Sequence, residues 1–110
     1  MYYRGASAAV IVYDITKKGS FETMVHWVQE LKQRAPPNIV LAIAGNKCDL
    51  ENQRAVTQDI VDEYLKQLTE EGGTEPIFRE CSAKSGVGVR ELFEDVCRKL
   101  IEMAEAEGGQ

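Results

Sequence analysis

Residues 39–44 form an apolar run, Ile-Val-Leu-Ala-Ile-Ala, that stops at Gly45 and delivers Asn46, Lys47 and Asp49 almost together. The run is short, rich in aliphatic and β-branched residues, and shows no alternation of polar and apolar positions. Pro36, Pro37 and Asn38 precede it. That pattern predicts a strand covered on both faces. Such strands belong to parallel sheets, where each return connection is a helix that packs on a face of the sheet. Ligands in these sheets bind just beyond the carboxyl ends of the strands. The three polar residues are therefore expected on a binding rim.

A chain of 110 residues suits one domain with a modest core. A hydrophobic fraction of 44% with 28% charged residues fits a soluble globular protein rather than a disordered one. The formal net charge of −5 argues against nucleic acid, whose phosphates call for clustered Lys and Arg. No apolar run reaches the length of a membrane span, and the N-terminus has no signal-peptide pattern. Cys48, Cys81 and Cys97 are odd in number and widely spaced, which points to reduced thiols and a cytoplasmic setting.

The first residues, Tyr2-Tyr3-Arg4-Gly5-Ala6, are too few for a helix of their own. Residues 8–14 follow as a first strand, apolar on both faces and so read as central. Ser20 is expected to cap a helix whose apolar face is Phe21, Met24, Val25, Val28 and Leu31, with Trp27 on its flank and Pro36-Pro37 ending it. Residues 50–55 read as a polar loop. Thr57 is the expected cap of a second helix, with Val56 placed to staple onto Val61 and a buried side of Ile60, Val61, Tyr64, Leu65 and Leu68. After an acidic loop over residues 70–76, residues 76–81 alternate and suggest a sheet edge. A loop over residues 82–86 leads to a last helix with Val89, Leu92, Phe93, Val96, Leu100 and Ile101 on one face, and residues 105–110 are expected to fray. The fold class is α/β, three-layered, with parallel strands in sequential order and helices on both faces.

Two polar loops thus end neighbouring strands on one rim. One holds Asn46, Lys47 and Asp49; the other holds Ser82, Ala83 and Lys84. An ionised Asp accepts two donors side by side. Guanine presents such a pair, its ring N1–H and exocyclic N2 amino group, and adenine does not. A wrong base would leave the carboxylate unpaired in a desolvated site, so one Asp can choose between the purines. The apolar stems of Lys47 and Lys84 could each cover a face of a planar base, and the Ala83 N–H could donate to the guanine carbonyl.

Asn46-Lys47-Cys48-Asp49 and Ser82-Ala83-Lys84 resemble the two guanine-recognition motifs of the small GTPases. Tyr2-Tyr3-Arg4-Gly5-Ala6, Val12-Tyr13-Asp14-Ile15-Thr16, Trp27-Val28-x-Glu30-Leu31 and Pro37-Asn38-Ile39-Val40 are similar to Rab GTPases, closest in wording to their early-endosomal branch. Asn-Lys-x-Asp by itself arises by chance in roughly one chain of this size per hundred. Paired with Ser-Ala-Lys at the end of the next strand, it is far more specific. The resemblance implies a guanine-nucleotide-binding vesicle-trafficking switch, with GTP or GDP and Mg²⁺ in the parent domain, Rab regulators and effectors as partners, and a parent protein on endosomal membranes. By the same resemblance Asp49 reads N1 and N2, Asn46 bonds N7 and ties the loops together, and Lys47 and Lys84 pack against base and ribose.

The resemblance also defines what is not in this sequence. No Gly-x-x-x-x-Gly-Lys-Ser/Thr loop, Mg²⁺-binding Thr or Asp-x-x-Gly loop occurs, and Gly86-Val87-Gly88 lacks the Lys-Ser/Thr that would have to follow. The expectation is a partial small-GTPase domain over residues 1–106, its base-reading half, with a tail over residues 107–110 that lacks prenylation cysteines. These residues alone are expected not to hydrolyse GTP and to hold guanine only in the millimolar range, and no metal-ligating set is seen. The first strand, left at a sheet edge, is expected to self-associate or to pair with a separate N-terminal fragment.

Other readings carry less chemistry. A flavodoxin-like domain with a chance Asn-Lys-x-Asp is one alternative. Another is a naturally shortened interaction module that binds Rab partners without cycling GTP. Cys48 and Cys81 are expected to be packing residues, His26 a surface or half-buried structural residue, Asp14 a turn or cap residue, and Arg4 a structural hub. Gly88 stands where Rabs commonly have Asn, a difference worth a few tenths of a kcal/mol if the position is an N-cap.

Overall fold

The computed structural model describes residues 8–34, 39–71 and 75–108. The Tyr2-Tyr3-Arg4-Gly5-Ala6 segment, the Pro36-Pro37 helix stop and the centre of the acidic loop lie outside the described residues. Strand β1 (Ala8–Asp14), helix α1 (Lys18–Arg34), strand β2 (Val40–Asn46), helix α2 (Gln58–Glu70), strand β3 (Ile77–Glu80) and helix α3 (Val89–Gly108) follow in order. A short 3₁₀ segment, Cys48–Gln53, lies between β2 and α2. The strands pair in parallel in the order β1-β2-β3, as the apolar runs predict.

Strand β2 is the centre. Residues 40–45 of it are all buried, and its side chains alternate between two cores. Leu41 and Ile43 face Met24, Val28 and Leu31 of α1 and Val61 and Leu68 of α2. Ala42 and Ala44 face Leu92 and Val96 of α3, together with Cys81. Small residues toward α3 and large ones toward α1 and α2 let helices of different reach close on the same strand. Each fully buried aliphatic side chain contributes about 1.5–3 kcal/mol, so β2 is the costliest strand to disturb.

Several local details depart from the sequence reading, each for a physical reason. Helix α1 begins at Lys18, so Ser20 lies inside its first turn rather than capping it. The Ser20 hydroxyl turns back to β1, accepting from the Asp14 N–H at 2.9 Å and donating to the Lys17 carbonyl at 2.7 Å. The polar loop after Asp49 is a 3₁₀ turn, which has no apolar period to reveal it. Thr57 does cap α2, accepting from the Ile60 N–H, and Val56 is fully buried in the same core as Val61. Ile60 is exposed on the rim of an apolar groove of about 270 Å³ that it shares with Phe21, Val25 and Val56. Helix α3 continues to Gly108, through residues expected to fray.

Phe93 and Ile101 are the largest departure. Both were placed on the buried face of α3, yet they are 55% and 58% exposed. Helix α3 packs mainly on β2 and β3, and its core meets β1 at Ala8. Asp95 pairs with Arg79 of β3, which turns that flank of α3 toward β3. Helical spacing puts Phe93 and Ile101 on the flank away from Asp95. In β1, Val10 and Val12, expected to be central, are exposed, Val12 by 56%. Among the described strands β1 lies at the edge, covered by α1 on one face and meeting the α3 core at Ala8 on the other.

Gly88 is also not a plain cap. Its φ is 76°, and a Cβ there would lie 2.5 Å from the Glu80 carbonyl oxygen. Left-handed backbone and close approach both call for glycine. Gly88→Ala is expected to lower the unfolding free energy by about 1–3 kcal/mol in urea denaturation. A loss below about 0.5 kcal/mol, the range of an N-cap exchange, would show that the turn relaxes freely.

Candidate functional site

The carboxyl ends of all three strands meet on one rim. Backbone bonds continue past the ladder and lace them there. The Ile15 N–H donates to the Asn46 carbonyl at 3.1 Å, the Cys81 N–H to the Gly45 carbonyl at 2.8 Å, and the Cys48 N–H to the Cys81 carbonyl at 3.1 Å. Gly45 leaves room for a neighbouring ring, since a Cβ there would sit 2.8 Å from the buried Tyr13 hydroxyl.

The structure brings Asn46 and Ala83 into direct contact. The Asn46 Oδ1 accepts from the Ala83 N–H at 3.0 Å, across 37 residues of sequence. That N–H is therefore engaged inside the protein and is not the free donor that the sequence reading assigned to a ligand carbonyl. The next amide, that of Lys84, has no partner among the described residues. Ser82 is buried and structural: its Oγ accepts from the Ser85 N–H at 3.2 Å, and its own backbone bonds Val87 and Gly86. It closes the loop that presents Ala83 and Lys84.

Lys47 adopts a left-handed conformation, φ 68° and ψ 34°, the one positive φ at a non-glycine among the described residues. Such a backbone costs of order 1 kcal/mol and persists where the surroundings impose it. It turns the chain sharply out of β2 into the 3₁₀ segment that carries Asp49. The Lys47 Nζ lies 2.9 Å from the Asp14 Oδ2. The other carboxyl oxygen of Asp14 accepts from the Thr16 N–H at 2.9 Å and the Thr16 hydroxyl at 2.7 Å. Asp14 is thus a turn residue, as expected, and also the anchor of Lys47, which sequence spacing had not suggested. Partial burial pushes the Asp14 carboxyl up, but the hydrogen bonds from Lys47 and Thr16 outweigh it and hold it at about 2.

Asp49 and Lys84 are both exposed, and among the described residues neither side chain has a hydrogen-bond or ion-pair partner. An unpaired carboxylate and an unpaired ammonium flank the Asn46–Ala83 bond. This donor and acceptor set fits a planar ligand that offers paired N–H groups. Among the described residues, no group of three or more His, Cys, Asp or Glu could hold a metal ion.

Arg54 and Glu80 were missed by sequence reasoning. The Arg54 guanidinium forks onto Glu80 at 2.6 and 2.7 Å, reaches Glu51 at 2.6 and 2.9 Å, and bonds the Val56 carbonyl at 3.0 Å. Opposite charges 26 residues apart leave no pattern in the sequence. The three thiols are free; Cys81 is buried, and burial pushes its thiol up.

Residues 1–102 match the Ras family. The chain belongs to the Ras family. Rab proteins are among its relatives. It is 55% identical over 102 residues to the putative Ras-related protein Rab-5B of Dictyostelium discoideum, covering 93% of this chain and 45% of that protein. It is 48% identical over 100 residues to the human Ras-related protein Rab-22A, covering 91% and 48%. To the mouse Ras-related protein Rab-31 it is 47% identical over 109 residues, covering 99% and 53%. The chain spans about half the length of these curated relatives. A Rab-like member of the family with a parallel three-stranded sheet and helices on both faces agrees with the resemblance carried by Asn46-Lys47-Cys48-Asp49 and Ser82-Ala83-Lys84.

The Asp14–Lys47 pair has a pH signature. A carboxyl depressed in the folded state stabilises the fold fully above its unfolded value, about 3.9. That stability is lost as the pH falls through about 2. In an NMR titration Asp14 is expected to show a midpoint near 2, and Lys47→Met is expected to move it upward. A midpoint near an ordinary carboxylate in the unmodified chain would mean that the pair does not form in solution.

Proposed function

We propose that this chain is the base-reading part of a Rab-like small GTPase and that Asp49 selects guanine. The observation that carries the reading is the exposed, unpartnered carboxylate of Asp49 beside loops joined by the Asn46–Ala83 bond. In this reading the Asp49 carboxylate accepts from the guanine N1–H and N2 amino group. The Lys84 side chain and the stem of Lys47 cover the base, and the free Lys84 amide takes over the contact to the guanine carbonyl. The Asn46 side-chain amide, its oxygen engaged with Ala83, keeps its NH₂ for the base N7. GTP or GDP is the nucleotide proposed for the whole protein, and the base contacts are the share this chain supplies. Hydrolysis, Mg²⁺, Rab regulators and effectors, and an endosomal membrane location belong to the proposal for the whole protein. Among the described residues no helix is long and apolar enough to cross a membrane.

Base contacts alone correspond to a Kd on the order of millimolar, about −4 kcal/mol. At that affinity the informative experiment is a swap of specificity. Asp49→Asn replaces one acceptor with a donor, so affinity is expected to fall at least tenfold for guanosine, about 1.4 kcal/mol, and to rise for xanthosine. Unchanged guanosine preference in that variant would rule out the role given to Asp49.

Among the described residues the outer edge of β1 has no strand beside it, which supports a second element of the proposal, pairing with a second copy. The strand has seven residues with no Lys or Pro to block the edge. Antiparallel pairing centred on Ile11 would set Val10 opposite the partner's Val12 and Asp14 opposite the partner's Ala8, so no like charges meet. Light scattering is expected to show mass rising with concentration, and Val12→Lys is expected to suppress it. A monomer at every concentration would remove this element and leave the guanine reading intact.

A further inference from the structure

We propose that Arg54 is a positioning residue of the rim, a clamp that fixes the spacing between the Asp49 loop and the Ser82–Lys84 loop. The proposal rests on the guanine reading for its ligand, but its geometry stands independently. All five N–H donors of the guanidinium are engaged: Nε with Glu51, one terminal nitrogen with Glu80 and the Val56 carbonyl, the other with Glu80 and Glu51. The Arg54 side chain is only 15% exposed and that of Glu80 23%. These partners sit on three different segments. Glu51 belongs to the 3₁₀ turn that also holds Asp49, Glu80 is the last residue of β3, and Val56 leads into α2.

Glu80 is followed directly by Cys81, whose carbonyl accepts from the Cys48 N–H, and then by the loop whose Ala83 N–H bonds Asn46. The two loops are therefore joined at two levels. The Asn46–Ala83 bond joins them at the exposed rim, where a ligand would compete with water for the same groups. The Arg54 fork joins them from below, where it is shielded. A bidentate fork fixes angle as well as distance, which a point-charge ammonium cannot do. Lys at this position would keep the charge and lose the plane. The consequence for the site is geometric: with the fork gone, Asp49 and the Lys84 amide can drift relative to each other while the strands beneath remain paired.

The test uses the 110-residue chain and its Arg54→Lys variant, with amide hydrogen exchange and guanosine titrations followed by NMR. In the variant the amides of β1 and β2 are expected to keep their protection. The Ala83 amide is expected to exchange at least tenfold faster, and guanosine affinity to fall three- to tenfold. Unchanged Ala83 exchange, or faster exchange spread evenly over β1, β2 and the rim, would overturn the clamp. If the unmodified chain binds no guanosine at all, the guanine reading fails, and Ala83 exchange alone still decides the clamp. If Arg54→Lys does not fold, Glu80→Gln decides by the same readouts, because it keeps the shape and removes the charge.

Discussion

Everything at the rim depends on the burial of β2 from both sides. A strand with Leu41 and Ile43 sealed by two helices and Ala42 and Ala44 sealed by a third has one register and no freedom to slide. Its end point is thereby set, and so are the positions from which Asn46 and Lys47 start. The neighbouring strands are registered against it residue by residue, with Asp14 opposite Asn46 and Glu80 opposite Gly45. The polar groups do not hold the sheet together; they are the part of the chain that the sheet leaves in a defined place.

On that base the site is assembled by three bonds of long sequence separation. Asn46 accepts from Ala83, Lys47 is anchored on Asp14, and Arg54 forks onto Glu80. Each joins the ends of two different strands or the loops that follow them. A net hydrogen bond contributes about 1 kcal/mol, and charge-assisted ones more, so their stabilising effect is modest beside the two cores. Their larger effect is on geometry. The strained backbone of Lys47 fits this division: local strain is tolerated where sheet and ion pair together impose it.

The fold was legible because its signals are local. Unbroken apolar runs announced β1 and β2, helical spacing announced all three helices, and Thr57 capped where a cap was expected. The proposed site residues stand out in the sequence because one short polar motif ends β2 and another follows β3. What stayed hidden depends on three-dimensional neighbours. Periodicity places Phe93 and Ile101 on an apolar stripe, but it cannot say that α3 packs mainly on β2 and β3 and leaves that flank exposed. Spacing cannot pair Arg54 with Glu80 or Lys47 with Asp14. Nor does the identity of Gly88 reveal the Glu80 carbonyl that excludes a side chain there. The Ala83 N–H was assigned outward because nothing in the sequence shows that the nearest acceptor is Asn46.

Membership in the Ras family rests on the match over residues 1–102, and the geometry of the rim is open to direct measurement. Chemical-shift mapping with guanosine, inosine and adenosine at millimolar concentration isolates the central claim, because inosine is guanosine without the exocyclic amino group. The account predicts that guanosine shifts the amides of Asn46, Asp49 and Lys84, that inosine does so several-fold more weakly, and that adenosine leaves them in place. Equal shifts with all three nucleosides, or shifts confined to the apolar groove between α1 and α2, would contradict it.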